Sequence, residues 1–198
     1  MRVLLTGTGT EVGKTWLGAR LAPLLGAAAW KPAQSFVAGE GLTDAEVLAA
    51  ATGQSPEEVC PPHRWYPVPL APPEAADELG LPAFTIADLM TERPNAADVL
   101  LVEGAGGVRS PLACDGDTVA LAAALQPDVT VLVGDAGLGA INDVRLSAGV
   151  LPGPVVVFLN RYDDGDLACR RNLAYLRRDG FEVAVDVASL ERLLHARV

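Results

Sequence analysis

The sequence predicts an α/β fold: a single domain built on a doubly wound, mainly parallel sheet with helices on both faces. Three observations predict it. Short, fully apolar segments alternate with stretches whose apolar residues recur at helical spacing. The first apolar segment runs directly into a glycine-bearing loop and a Gly-Lys-Thr triplet, the strand-to-helix junction of a phosphate-binding loop. The chain has 198 residues, 50% of them hydrophobic, which is enough for one sizeable core, so residues 1–198 read as one domain.

Taken in order, residues 1–6 form a short buried strand, and Gly7-Thr8-Gly9-Thr10-Glu11-Val12-Gly13-Lys14-Thr15 is the loop. Backbone N–H groups of such a loop surround a polyphosphate, and the following helix aims its positive end at the same point. Counting back from Gly13, the usual first glycine position holds Thr8, so the loop is one residue longer than usual or differently wound. A helix follows over 15–25, with Trp16, Leu17, Leu21, Leu24 and Leu25 as its apolar face and Gly26 as its end. Residues 27–30 are a second strand, which puts Lys31 at a strand's C-terminal end, the edge where open parallel sheets bind ligands. Thr43 caps a helix running to about Thr52.

Between Pro56 and Pro94 the chain holds nine of its fifteen prolines. A long proline-rich stretch inside a compact domain reads as a functional wall or rigid cover, interrupted by helices near 74–79 and 85–92. Regular alternation then returns: a strand at 99–102, a helix at 117–125, a strand at 129–133 and a helix ending at 150. A strand at 155–159, a helix at 166–178, a strand at 181–185 and a terminal helix complete the chain.

Composition narrows the partners. A net charge of −10, dispersed along the chain, opposes general binding to nucleic acid. No apolar run is long enough to span a bilayer and no basic-then-apolar leader precedes the first strand, so a cytoplasmic protein without membrane contact is expected. Three cysteines without metal-like spacing and two histidines read as reduced thiols and no ligand cluster. Of fifteen basic residues only Lys14 and Lys31 are lysine. A compact ammonium differs from a planar guanidinium, so both positions are candidates for chemistry arginine cannot supply.

Four strand ends therefore meet on one edge: the loop, Lys31, Glu103 and the stretch 134–142. Lys14 supplies a mobile charge to the outer phosphates, and Thr15, Asp44 and Glu103 are the candidate Mg²⁺ ligands, since Mg²⁺ needs only one or two carboxylates beside a hydroxyl and phosphate oxygens. The three glycines soon after Glu103 are read as allowing close backbone approach to a ligand.

At these residues the chain resembles the dethiobiotin synthetase family, of the P-loop NTPase superfamily. The resemblance rests on 7–15, Lys31-Pro32-Ala33-Gln34-Ser35, Asp44, Glu103-Gly104-Ala105-Gly106-Gly107 with Pro111-Leu112, and Gly137-Leu138-Gly139-Ala140-Ile141-Asn142, in the family's order. It implies an ATP-dependent ligase that takes 7,8-diaminopelargonate and CO₂ or bicarbonate to dethiobiotin, ADP and phosphate, with Mg²⁺ as cofactor. It assigns catalysis to Lys14, Lys31 and Thr10, and nucleotide binding to Thr10, Glu11, Val12, Gly13, Lys14, Thr15 and Asn160. Lys31 and Ser35 would bind substrate. Leu138, Gly139, Ala140 and Asn142 would take the distal carboxylate from the second subunit of a homodimer. Gly9, Asp143 and Arg109-Ser110 depart from the family pattern, and the match weakens after Asn160. Two other readings belong to the same superfamily. A cobyrinate-type amide ligase usually carries a glutaminase domain, for which this length leaves no room. A partitioning-type switch ATPase carries an early loop lysine, where this chain has Gly7, Thr8 and Gly9.

Overall fold

A computed structural model describes residues 1–94 and 98–196. β1 (Arg2–Gly7) is buried and apolar, and it lies inside a six-stranded sheet rather than at its edge. The first helix, α1 (Lys14–Leu25), ends on Gly26 in the left-handed region, φ 58°. Its buried face is Lys14, Leu17, Gly18, Leu21, Ala22 and Leu25, spaced three and four residues apart. Trp16 and Leu24, read from sequence as part of that face, fall on the opposite side and are 43% and 48% exposed. Gly18 and Ala22 take their places because the helix packs close to the sheet.

β2 (Ala28–Trp30) is followed by the short β3 (Gln34–Ser35) and by α2 (Asp44–Thr52). Thr43 caps α2 in a reciprocal box with Glu46. The proline-rich stretch holds more local structure than its sequence suggests. It contains α3 (Pro56–Val59), a 3₁₀ turn (Pro62–Arg64), β4 (Trp65–Tyr66), α4 (Pro72–Glu78) and α5 (Ile86–Thr91). β4 pairs in parallel with β3, tying this stretch to the segment after Lys31. The Arg64 guanidinium forks onto Glu92 at 3.0 and 2.7 Å and lies over the Phe84 ring at 4.2 Å, which fastens the stretch to itself.

β5 (Leu100–Gly107) is longer than its apolar run, continuing through the glycines. A small antiparallel pair, β6 (Pro111–Ala113) and β7 (Gly116–Asp117), leads into α6 (Thr118–Leu125), capped by Asp117. The remaining elements are β8 (Val129–Asp135), α7 (Ala140–Ala148), β9 (Val155–Asn160), α8 (Leu167–Arg178), β10 (Glu182–Ala184) and α9 (Val187–His195).

The sheet order is β10-β9-β8-β1-β5-β2, and every neighbouring pair is parallel. Successive side chains of a strand point to opposite faces, and β1 divides accordingly. Val3 and Leu5 join a core with Leu17 and Leu21 of α1 and Leu190 and Leu194 of α9. Leu4 joins another with Leu121 and Leu125 of α6. Leu132 and Val157 pack against Val144 of α7 and Leu173 and Leu176 of α8. Helices thus cover both faces of a parallel sheet, an α/β P-loop NTPase fold. Among the described residues no helix is long and apolar enough to cross a membrane.

Candidate active site

The loop after β1 turns tightly on its own backbone. A side chain on Gly7 would come within 2.7 Å of Val12 Cγ2 and 2.9 Å of the Gly9 carbonyl, so only glycine fits there. Gly13 has φ +94°, and a Cβ there would lie 2.1 Å from Asn160 Nδ2. Among the described residues, the backbone N–H groups of Thr10 to Thr15 find no protein acceptor. A row of free amides at the N-terminus of α1 is an anion cradle. Lys14 is buried at the loop's base and donates to the Gly9 carbonyl at 3.1 Å. Burial, then the neighbouring Lys31 charge, lowers its pKa below the ordinary lysine value.

β5 brings Glu103 beside this loop, fully buried and inside the strand rather than at its end. Of the glycines after it, Gly106 lines the same cavity as Lys14 and Thr15, while Gly107 serves the protein's own packing. A Cβ on Gly107 would press on Thr8 O at 3.2 Å and Gly9 Cα at 3.3 Å, so Gly107 lets β5 and the loop lie side by side. Gly18 of α1 similarly makes room for Glu103, whose Oε2 would be 3.3 Å from a Cβ there.

Thr15, Lys31, Asp44 and Glu103 converge. The Thr15 hydroxyl is 2.7 Å from Asp44 Oδ1 and 2.8 Å from Glu103 Oε1. Lys31, 2% exposed, sets Nζ 2.6 Å from Asp44 Oδ2, 2.8 Å from Glu103 Oε1 and 3.3 Å from the Gly104 carbonyl. Burial alone would lower the Lys31 pKa; Asp44 and then Glu103 reverse that, and the ammonium is held charged. Burial raises the Glu103 pKa despite the Lys31 charge; at Asp44 burial also pushes upward, but the Lys31 charge together with the hydrogen bonds from Lys31 and Thr15 outweighs it and the carboxyl stays below its usual range.

This donor set fits a small hard cation. A hydroxyl has one proton to give, yet two carboxylates meet on the Thr15 oxygen. Glu103 Oε2 is buried with no hydrogen-bond partner. Two carboxylates and a hydroxyl, completed by phosphate oxygens and water, suit Mg²⁺. No group of three or more His, Cys, Asp or Glu side chains arranged for a metal exists among the described residues, so this set stands on its mixed chemistry.

Thr15, Lys31 and Asp44 open onto a cavity of about 600 Å³, whereas Glu103 is fully buried and does not line it. Its lining includes Thr10, Glu11, Gly13, Lys14, Thr15, Lys31, Ser35 and Asp44 together with Pro69, Leu70, Ala71 and Pro72, and Gly106 and Ser110. The proline-rich stretch thus supplies an apolar part of the cavity wall. Val12 and Asn160 do not line the cavity. Val12 packs against the core, and Asn160 donates from Nδ2 to the Val12 carbonyl at 2.9 Å, bracing the loop from behind. Leu138, Gly139, Ala140 and Asn142 lie outside this cavity too. Gly139, φ +100°, caps α7, and the Leu138 side chain is fully exposed.

Trp16 and Gln34 line the cavity but have no site role in the sequence reading. Trp16 was taken for core; it lines the rim with Arg20 stacked on its ring at 4.0 Å. Gln34 is buried, its Oε1 accepts the Ala45 N–H at 3.0 Å just after Asp44, and its Nε2 has no partner. Its position between Lys31 and Ser35 was the one available signal.

A family model described as an AAA domain matches residues 1–156. The chain is 41% identical over 158 residues to an ATP-dependent dethiobiotin synthetase of Rhodococcus jostii, covering 75% of this chain and 67% of the relative. It is 36% identical over 188 residues to the enzyme of that name from Streptomyces avermitilis, covering 88% and 77%. With the one from Brucella ovis the identity is 32% over 200 residues, covering 98% and 92%.

Proposed function

The chain belongs to the ATP-dependent dethiobiotin synthetase family, and from that premise we propose that it closes the ureido ring of dethiobiotin from 7,8-diaminopelargonate, CO₂ and ATP. The observation that carries this reading is the second lysine. A P-loop that only hydrolyses nucleotide has no need of a buried ammonium beside its metal-site acids, whereas a carbamate that must approach a triphosphate does.

In this reading one amine of the diamine and CO₂ form a carbamate, an anion held by Lys31 and Ser35. Lys14 and the loop amides hold the γ-phosphate in reach, and Thr10 at the rim positions the two reactants. The carbamate oxygen attacks the γ-phosphorus and ADP leaves, giving a carbamic–phosphoric mixed anhydride. The second amine attacks its carbonyl carbon, the C–O bond to phosphate breaks, and the ring closes with release of phosphate. Positioning and fixed charge do most of the work in such a transfer. Mg²⁺, held by Thr15, Asp44 and Glu103, supplies charge neutralisation at the phosphates. The Asn160 amide, bonded to the loop through Nδ2, leaves Oδ1 as an acceptor suited to the adenine amine, with Glu11, Val12 and Gly13 shaping the loop beneath.

The wall of Pro69 to Pro72 suits the alkyl chain of the diamine. Leu138, Gly139, Ala140 and Asn142 belong to the partner's site in a homodimer, where the N-terminus of α7 receives the distal carboxylate. The setting is the cytoplasm. Carbonate labelled with ¹⁸O tests the chemistry: transfer through a carbamic–phosphoric anhydride delivers one label to phosphate and one to the ureido carbonyl. Unlabelled phosphate beside labelled product would rule that route out.

A further inference from the structure

The residue after Asn160 makes a second connection to the loop. Arg161 donates from Nη2 to the Glu11 carbonyl at 2.7 Å and from Nη1 to Asp135 Oδ2, also at 2.7 Å. Asp135 accepts the Gly137 N–H on its other oxygen at 3.0 Å, at the head of the turn into α7. Two successive residues at the end of β9 therefore take up two successive loop carbonyls, Asn160 that of Val12 and Arg161 that of Glu11.

Backbone geometry singles out the same pair. Three non-glycine residues among those described have positive φ: Glu11 at 57°, Gln126 at 49° and Arg161 at 54°. Gln126 is the C-cap of α6, an ordinary site for that conformation. The other two are hydrogen-bonded to each other. A left-handed backbone is unfavourable for any residue with a Cβ, so something must hold Glu11 in it. The carbonyl of a phosphate loop is also the wrong end of the peptide to offer an anion, and it must be engaged elsewhere for the free amides to serve as a cradle.

We propose that Arg161 is a positioning residue for nucleotide binding: it holds the Glu11 peptide in its left-handed form and anchors that hold, through Asp135, to the turn before α7. The proposal rests on reading 7–15 as the nucleotide loop. Arg161 is 57% exposed and does not line the cavity, so it acts through the backbone and not by touching the reacting atoms.

Equilibrium binding of a fluorescent ATP analogue tests it. Arg161→Ala weakens binding about tenfold and raises the nucleotide KM by the same factor, a change equivalent to about 1.4 kcal/mol. At saturating nucleotide kcat is retained. The thermal midpoint hardly moves, because an exposed ion pair contributes little to stability. Arg161→Lys, which keeps one donor toward the carbonyl but not the fork, falls between the two. In a Glu11→Gly background the same Arg161→Ala change has little further effect, since glycine enters the left-handed region without cost. Equal losses in both backgrounds would overturn the backbone mechanism, and unchanged affinity in Arg161→Ala would overturn the positioning role. A wild-type protein that binds no nucleotide would instead overturn the loop reading beneath it.

Discussion

Lys31 is a paired charge, shared between two carboxylates that also meet on the Thr15 hydroxyl. That arrangement depends on a compact ammonium reaching a fully enclosed position, and a planar guanidinium needs more room and a different donor geometry. Lys31→Arg therefore keeps nucleotide affinity and loses ring closure on the order of a hundredfold, the scale set by removing one preorganised charge contact. Equilibrium nucleotide binding beside single-turnover product formation checks it, and normal turnover would refute the role given to Lys31. Lys14 differs in sign: burial and Lys31 lower its pKa, while that of Lys31 is raised. Lys14 thus loses its proton first as pH rises, and the loop loses its mobile charge. The nucleotide kcat/KM, which reports the free enzyme, falls with an inflection below the ordinary lysine value of 10.5. An inflection at or above that value would contradict the assignment.

At the scale of elements, the short Thr43 box does double duty, since it ends the loop that reaches α2 and sets the first residue of that helix, Asp44. Thr43→Ala costs about 1 kcal/mol of folding stability by loss of the cap, read as a lower urea midpoint. Mg²⁺ affinity falls with it, because Asp44 loses its fixed start. Its reciprocal partner Glu46 was not read, but the helix start was legible in sequence because Thr43 is a residue suited to an N-cap. The face of α1 was not: Trp16 and Leu24 are more hydrophobic than Gly18 and Ala22, yet the small residues are the buried ones. Close helix–sheet approach, forced by Glu103 and Leu5 beneath Gly18, overrides hydrophobicity there. β3 and β4 also escaped notice, since two-residue strands carry no periodicity to read. The longer β5 had a misleading signal, because its glycines look like loop and are strand, with Gly107 packed against the P-loop.

Over the whole molecule, the parallel sheet and its helices followed from alternation alone, because strands buried on both faces read as apolar runs. The loop, Lys31 and Asp44 were likewise legible as strand-end and helix-start residues that the sheet gathers on one edge, whereas Glu103, read at a strand end, sits inside β5. What sequence could not supply was pairing: that Lys31 bonds both acids, that Pro69 and Pro72 line the same cavity of about 600 Å³ as Lys31 and Asp44, or that Arg161 reaches back to Glu11. Those contacts join residues up to 150 positions apart, and only the fold brings them together. The placement of Leu138 outside the cavity, fully exposed, fits a site completed by a second chain, and light scattering at twice the chain mass checks that dimer. In the proposed reaction this P-loop spends nucleotide only on a carbamate. Phosphate release from ATP and Mg²⁺ tests it most directly, measured with and without 7,8-diaminopelargonate and bicarbonate. Release is expected only when both are present, matched one to one by dethiobiotin; rapid release without the diamine would refute the proposed reaction.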